Sequence, residues 1–138
     1  MKKYFLIVTM LISAATMVAC GGNEIQKQTQ GKAALVNDVE VDEFKSLISE
    51  KPGIILDVRT PSEVAEGKVP GAMVINIQEQ DFMDQISKLD KDKPIYVYCR
   101  AGGRSANASQ KLVDLGFPQV YNMLGGMEAW NAKGYEKE

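Results

Sequence analysis

Short β-branched runs alternate with stretches of helical period along the second two thirds of the chain. Phe44, Leu47 and Ile48 fall on one face of a helix that Asp42 can cap, and Pro52-Gly53 ends it. Ile54-Ile55-Leu56-Asp57-Val58 reads as a strand. Thr60-Pro61-Ser62-Glu63 then has the form of a capping box with proline at the first helical position, which predicts a short helix. After Pro70-Gly71, Met73 to Ile77 reads as a second strand, and Phe82, Ile86 and Leu89 form the stripe of another helix. Pro94 to Tyr98 is the next strand and runs straight into Cys99. Arg104 to Leu115 reads as a helix ended by Gly116, Val120 to Asn122 as a last strand, and Gly125-Gly126 as a tight turn before a helix from Met127 to Lys133 that Gly134 closes. Strands alternating with helices predict an α/β fold, a mostly parallel sheet with helices on both faces. In such sheets ligands bind at the carboxyl ends of strands, where Cys99 falls.

The amino-terminal pattern is different. Lys2 and Lys3 precede an apolar run from Tyr4 to Ala19, interrupted only by Thr9, Ser13 and Thr16. It is shorter than the roughly 18 or more charge-free apolar residues of a spanning helix, and it ends in small residues, as an export signal does. Met17-Val18-Ala19-Cys20 resembles the lipobox of bacterial lipoproteins, with Met where Leu is usual. That resemblance implies a signal peptide over residues 1–19, acylation of Cys20, and a protein held outside the cytoplasm on a bacterial membrane. Residues 20–32 are polar and glycine-containing and read as a flexible tether, leaving one domain over residues 33–138.

Composition narrows the chemistry. The 138 residues carry 16 Lys+Arg against 18 Asp+Glu, and no basic patch for nucleic acid is visible. The chain has two cysteines and no histidine, so Cys-His and Ser-His-Asp nucleophile pairs and His-ligated zinc are excluded. With Cys20 acylated, Cys99 is the one remaining thiol.

Tyr98-Cys99-Arg100-Ala101-Gly102-Gly103-Arg104-Ser105 places that thiol between a strand end and a helix start, with two glycines in the loop. Consecutive backbone amides can then face the sulfur. The helix terminus adds about half a positive charge, and Arg100 and Arg104 add full ones. All of these favour thiolate over thiol, so the Cys99 pKa is expected to be lowered.

Cys99-Arg100-Ala101-Gly102-Gly103-Arg104-Ser105 resembles the active-site loop pattern Cys-Arg-x-Gly-x-Arg-Ser of the single-domain rhodaneses, a family of sulfurtransferases. Leu56-Asp57-Val58-Arg59-Thr60-Pro61-Ser62-Glu63, Val69-Pro70-Gly71-Ala72 and Gly125-Gly126-Met127-Glu128-Ala129-Trp130 match three further motifs in the family's order. Lys68 departs from it, standing where His is usual, and Met123-Leu124 is more apolar than is common there. The resemblance implies the three-layer rhodanese fold and a Cys99 persulfide that carries sulfur from thiosulfate or a related donor to a thiophilic acceptor. It implies Arg100, Ala101, Gly102, Gly103, Arg104 and Ser105 as the donor-binding loop. Asp57 and Arg59 read as a strand-end carboxylate and a salt-bridging arginine supporting that loop, Glu63 as a capping-box residue, and Trp130 as a core anchor. It implies no metal and no organic cofactor, and a monomer is expected.

Two other functions fit parts of the pattern. An exported module that relays persulfide sulfur or senses oxidants would need an external thiol, because the mature chain would lack a resolving cysteine. Phosphatases and arsenate reductases of the same fold have five residues between Cys and Arg, whereas four separate Cys99 from Arg104, a cradle too tight for a tetrahedral phosphate.

Overall fold

The computed structural model describes residues 34–138. The readings of residues 1–19, Cys20 and the tether through residue 32 lie outside the described residues. Among the described residues no helix is long and apolar enough to cross a membrane. In chain order the elements are β1 (Val36–Val39), α1 (Val41–Glu50), β2 (Ile54–Asp57), α2 (Pro61–Val64), β3 (Met73–Val74), α3 (Phe82–Ser87), β4 (Ile95–Tyr98), α4 (Gly103–Asp114), β5 (Val120–Met123) and α5 (Gly126–Ala132).

The five strands form one sheet in the order β1-β5-β4-β2-β3, and every neighbouring pair is parallel. β4 is central and buried along its whole length, so both its faces are apolar. Ile95, Val97 and Cys99 point into a core closed by Phe82 and Ile86 of α3 and Ala108 and Leu112 of α4. Tyr96 and Tyr98 point the other way, into a core closed by Phe44 of α1 and Met127 and Trp130 of α5. The predicted parallel sheet with helices on both faces is the observed architecture.

Local differences have local causes. The strand β1 has no counterpart in the sequence pattern, because it is an edge strand whose centre is Asn37-Asp38 and only Val39 is buried. Asp38 accepts a hydrogen bond from Asn122 Nδ2 of β5 at 2.8 Å, so the pairing is secured by polar groups that hydrophobic periodicity does not detect. The run Met73 to Ile77 keeps only two ladder residues. Its amides nevertheless follow β2, Ile75 N donating to Asp57 O and Ile77 N to Val58 O. Asp42 does not cap α1. The N-cap is Glu40, without a side-chain hydrogen bond, and Asp42 lies in the first turn, where its carboxylate accepts from Lys133 Nζ at 2.7 Å and Tyr135 Oη at 2.6 Å. The capping box Thr60-Glu63 is present in full, with Pro61 at the first helical position.

Candidate active site

The site begins where β4 ends. Cys99 leaves the strand with its side chain in the core and 1% of its surface exposed. Gly102 takes φ 107°, a left-handed conformation that L side chains rarely adopt, and turns the chain into α4. The turn aims the Gly102 amide at the Cys99 sulfur, N to Sγ 3.1 Å.

A second element sets the orientation of the other peptides. The amides opening α5 donate backwards into the loop, Met127 N to Cys99 O at 2.9 Å and Glu128 N to Arg100 O at 3.0 Å. In a planar trans peptide the carbonyl and the following N–H point in opposite directions. With both carbonyls held toward α5, the amides of Arg100 and Ala101 turn away from it, the Ala101 amide toward the sulfur. This close approach requires Gly126: a Cβ there would lie 2.3 Å from Cys99 O and 2.6 Å from Arg100 O. The residues alone mark Gly125-Gly126 as a turn, and the motif they open carries no statement of what they touch. No local signal reveals that its partner is a loop more than twenty residues away.

Burial pushes the Cys99 thiol up, but the Ser105 hydroxyl and the amides of Ser105, Gly102 and Ala101 more than offset it, so the pKa lies below that of an ordinary thiol. Ser105 Oγ lies 3.0 Å from the Gly102 carbonyl oxygen, to which it donates, and its single proton can turn instead to a thiolate.

The charged residues around the loop are each paired. Arg104 meets Glu63 in a two-point contact, 2.8 Å and 2.5 Å, and Arg100 reaches over to Glu128 at 3.1 Å. Arg104 is held protonated by Glu63 first, with the Cys99 thiolate adding to the effect. Asp57 and Arg59 are buried beneath this layer. Arg59 clasps Asp57 with Nε and Nη2 and donates to the carbonyls of Glu63 and Gly67, while Tyr98 Oη donates to Asp57 at 2.7 Å and accepts from Val69 N. The pair therefore fixes the segment between α2 and β3 against the central strand. Burial and the neighbouring Asp57 carboxylate hold the Tyr98 phenol far above its usual range, so it stays protonated and donating.

Glu63 does more than its cap. Its carboxylate takes Thr60 N and Oγ1 as well as Arg104. Arg104 first, then the Thr60 donors, lower its pKa from 4.5 to about 2 against the cost of burial. The folded-state pKa is depressed, so the stabilisation is present above pH 4.5 and is lost as pH falls toward about 2. Allowing for solvent at this partly exposed pair, Glu63→Gln is expected to cost about 1–2 kcal/mol at neutral pH, with the difference closing in acid. Gln can still cap, so urea midpoints of the two proteins across pH isolate the charge. A constant difference down to pH 2 would refute the assignment.

The model of the rhodanese-like domain matches residues 40–133, spanning α1 to α5 and the whole loop. The chain belongs to the rhodanese-like family. Among its rhodanese-like relatives, a putative sulfurtransferase of Bacillus subtilis is 41% identical over 101 residues, 73% of this chain and 87% of that one. A thiosulfate sulfurtransferase of Coxiella burnetii is 34% identical over 86 residues, 62% of this chain and 78% of that one. A rhodanese-like domain protein of Staphylococcus aureus, solved by crystallography, superposes with a TM-score of 0.63 at 34% identity, covering 74% of this chain and 98% of that one. The rhodanese-like fold read from the sequence is thus the fold observed, and relatives of the chain are named sulfurtransferases.

Proposed function

We propose that the protein is a sulfurtransferase that carries sulfane sulfur on Cys99. The observation that supports it is the Cys99 sulfur meeting the Gly102 amide at 3.1 Å at the end of β4, where the Ser105 and loop donors lower its pKa in a chain without histidine. In the reaction the thiolate attacks the outer sulfur of a donor such as thiosulfate. The donor S–S bond breaks, sulfite leaves with its electron pair, and Cys99 becomes a persulfide. A thiophilic acceptor, cyanide or a thiol, then takes the outer sulfur and returns the thiolate. The same amides that stabilise the thiolate stabilise the persulfide anion, so no separate base is needed. The burial of Cys99 favours donors that present sulfur on a slim end.

The test is sulfur transfer from thiosulfate to cyanide by the full-length chain in detergent, with intact mass and peptide mapping. Turnover with a one-sulfur adduct on Cys99 that cyanide discharges is the expected result. A folded protein that gains no sulfur on Cys99 from any sulfane donor would overturn the reading. Stoichiometric loading without turnover would point instead to a relay that hands sulfur to a partner thiol.

A further inference from the structure

Glu63 is gripped by an arginine at each end. Its backbone carbonyl accepts from Arg59 Nη1 at 3.1 Å, and its carboxylate meets the two Nη groups of Arg104 at 2.8 Å and 2.5 Å. That carboxylate is not left to swing between rotamers. Thr60 N donates to Oε2 at 3.0 Å and Thr60 Oγ1 at 2.9 Å, within the capping box that Pro61 opens. Arg59 is in turn clasped by Asp57, which accepts from Tyr98 Oη, and Tyr98 is the residue before the cysteine. Glu63 therefore joins Arg104 to the buried frame beneath the end of β4. Arg104 spends both Nη groups on this contact, so its Nε–H and outer N–H groups are what remain for a ligand. The sulfur lies within reach of that guanidinium, because the Cys99 thiolate adds to Glu63 in holding Arg104 protonated.

Resting on the sulfurtransferase reading, we infer that Glu63 is a positioning residue for the transfer: it fixes Arg104 in the orientation that receives the anionic end of a donor beside Cys99. A long guanidinium side chain that must be ordered at each encounter loses binding to that cost. Held by Glu63 on one edge, Arg104 presents its other edge already set. Released, it can also fold onto the thiolate and cover it. Glu63 acts through Arg104, and Thr60 acts through Glu63 by keeping the carboxylate in place.

The experiment compares alkylation of Cys99 in the full-length chain by iodoacetate and by iodoacetamide, read by quenched intact mass with Cys99→Ser as background. Both reagents are attacked by the thiolate, so the ratio of their rates does not depend on how much thiolate is present, and only the first carries an anion for Arg104 to receive. Glu63→Gln keeps the cap and removes the ionic contact. A carboxylate that acted by its charge alone would, once removed, let the iodoacetate-to-iodoacetamide ratio rise, and one that served stability alone would leave it unchanged. As a positioning residue, its loss is expected to lower the ratio by about fivefold. Thr60→Val retains the Glu63 charge but not the Oγ1 anchor, and should lower the ratio by about twofold, with Thr60→Ser restoring it. Loading of Cys99 from thiosulfate should fall with the ratio in Glu63→Gln. A ratio unchanged or raised in Glu63→Gln, a Thr60→Val ratio equal to that of the wild type, or thiosulfate loading at the wild-type rate in Glu63→Gln overturns the inference and leaves the sulfurtransferase reading standing. A wild-type chain that takes no sulfur from any sulfane donor overturns that reading, and the alkylation ratios then refute or retain the role of Glu63 in orienting Arg104 by themselves.

Discussion

Cys99→Ser is expected to abolish sulfur transfer, by more than about 10³-fold, while leaving the domain folded. The reason lies in one atom. A serine hydroxyl stays protonated where the amide cradle lowers the pKa of the thiol, and it cannot form a persulfide. The fold should tolerate the change because the hydroxyl can accept the Gly102 amide that now meets Sγ at 3.1 Å. Cys99 is also part of the core shared with Ala108 and Leu112, so a loss of about 1–2 kcal/mol is expected from burying a more polar group. Transfer assays and urea unfolding on the same preparation separate the two effects. Transfer by the serine variant at wild-type rates would end the proposed mechanism.

The second large effect comes from a residue that touches no substrate. Gly126→Ala is expected to reduce transfer by about 10²-fold and to destabilise the protein by about 2–4 kcal/mol. Its Cβ would fall inside the contact distance of the Cys99 and Arg100 carbonyl oxygens, so the loop must move away from α5. The carbonyls then lose Met127 N and Glu128 N, and the peptides that aim amides at the sulfur lose their fixed orientation. The pH profile of Cys99 alkylation should shift upward accordingly. Gly134→Ala is the control, since Gly134 also has positive φ, 68°, but open space where the Cβ would go. It should show the backbone strain alone and keep the transfer rate. Equal activity losses in both variants would mean that the loop contact is not what matters.

These two residues mark what sequence reading reaches. Cys99 was legible because its signal is local: a strand end, two glycines and a helix start within eight residues. The capping box at Thr60-Glu63 was legible for the same reason, and so was the two-faced core, since β4 is apolar without interruption. What escaped is what depends on pairing across the fold. The strand β1 escaped because polar groups, Asp38 and Asn122, secure it. The second partner of Glu63, Arg104, lies forty-one residues away and could not be read from the cap. Arg100 and Arg104 were expected to add full positive charges beside the sulfur, whereas carboxylates from α5 and α2, Glu128 and Glu63, pair with them. Asp42 was read as a cap from its position alone, and its true partners, Lys133 and Tyr135, lie at the other end of the chain.

The uniform direction of the strands has a consequence for handling the molecule. Val36 is level with Val120, and Val120 with Ile95, so the first residue of β1 shares a row with the first residue of β4. Cys99 lies four residues further along, a rise of about 13 Å toward the opposite rim. The chain therefore enters this domain at the rim away from the reactive sulfur. A bead, a surface or a fused protein attached at that entrance grips the domain from behind, and the mouth is left facing whatever comes to it.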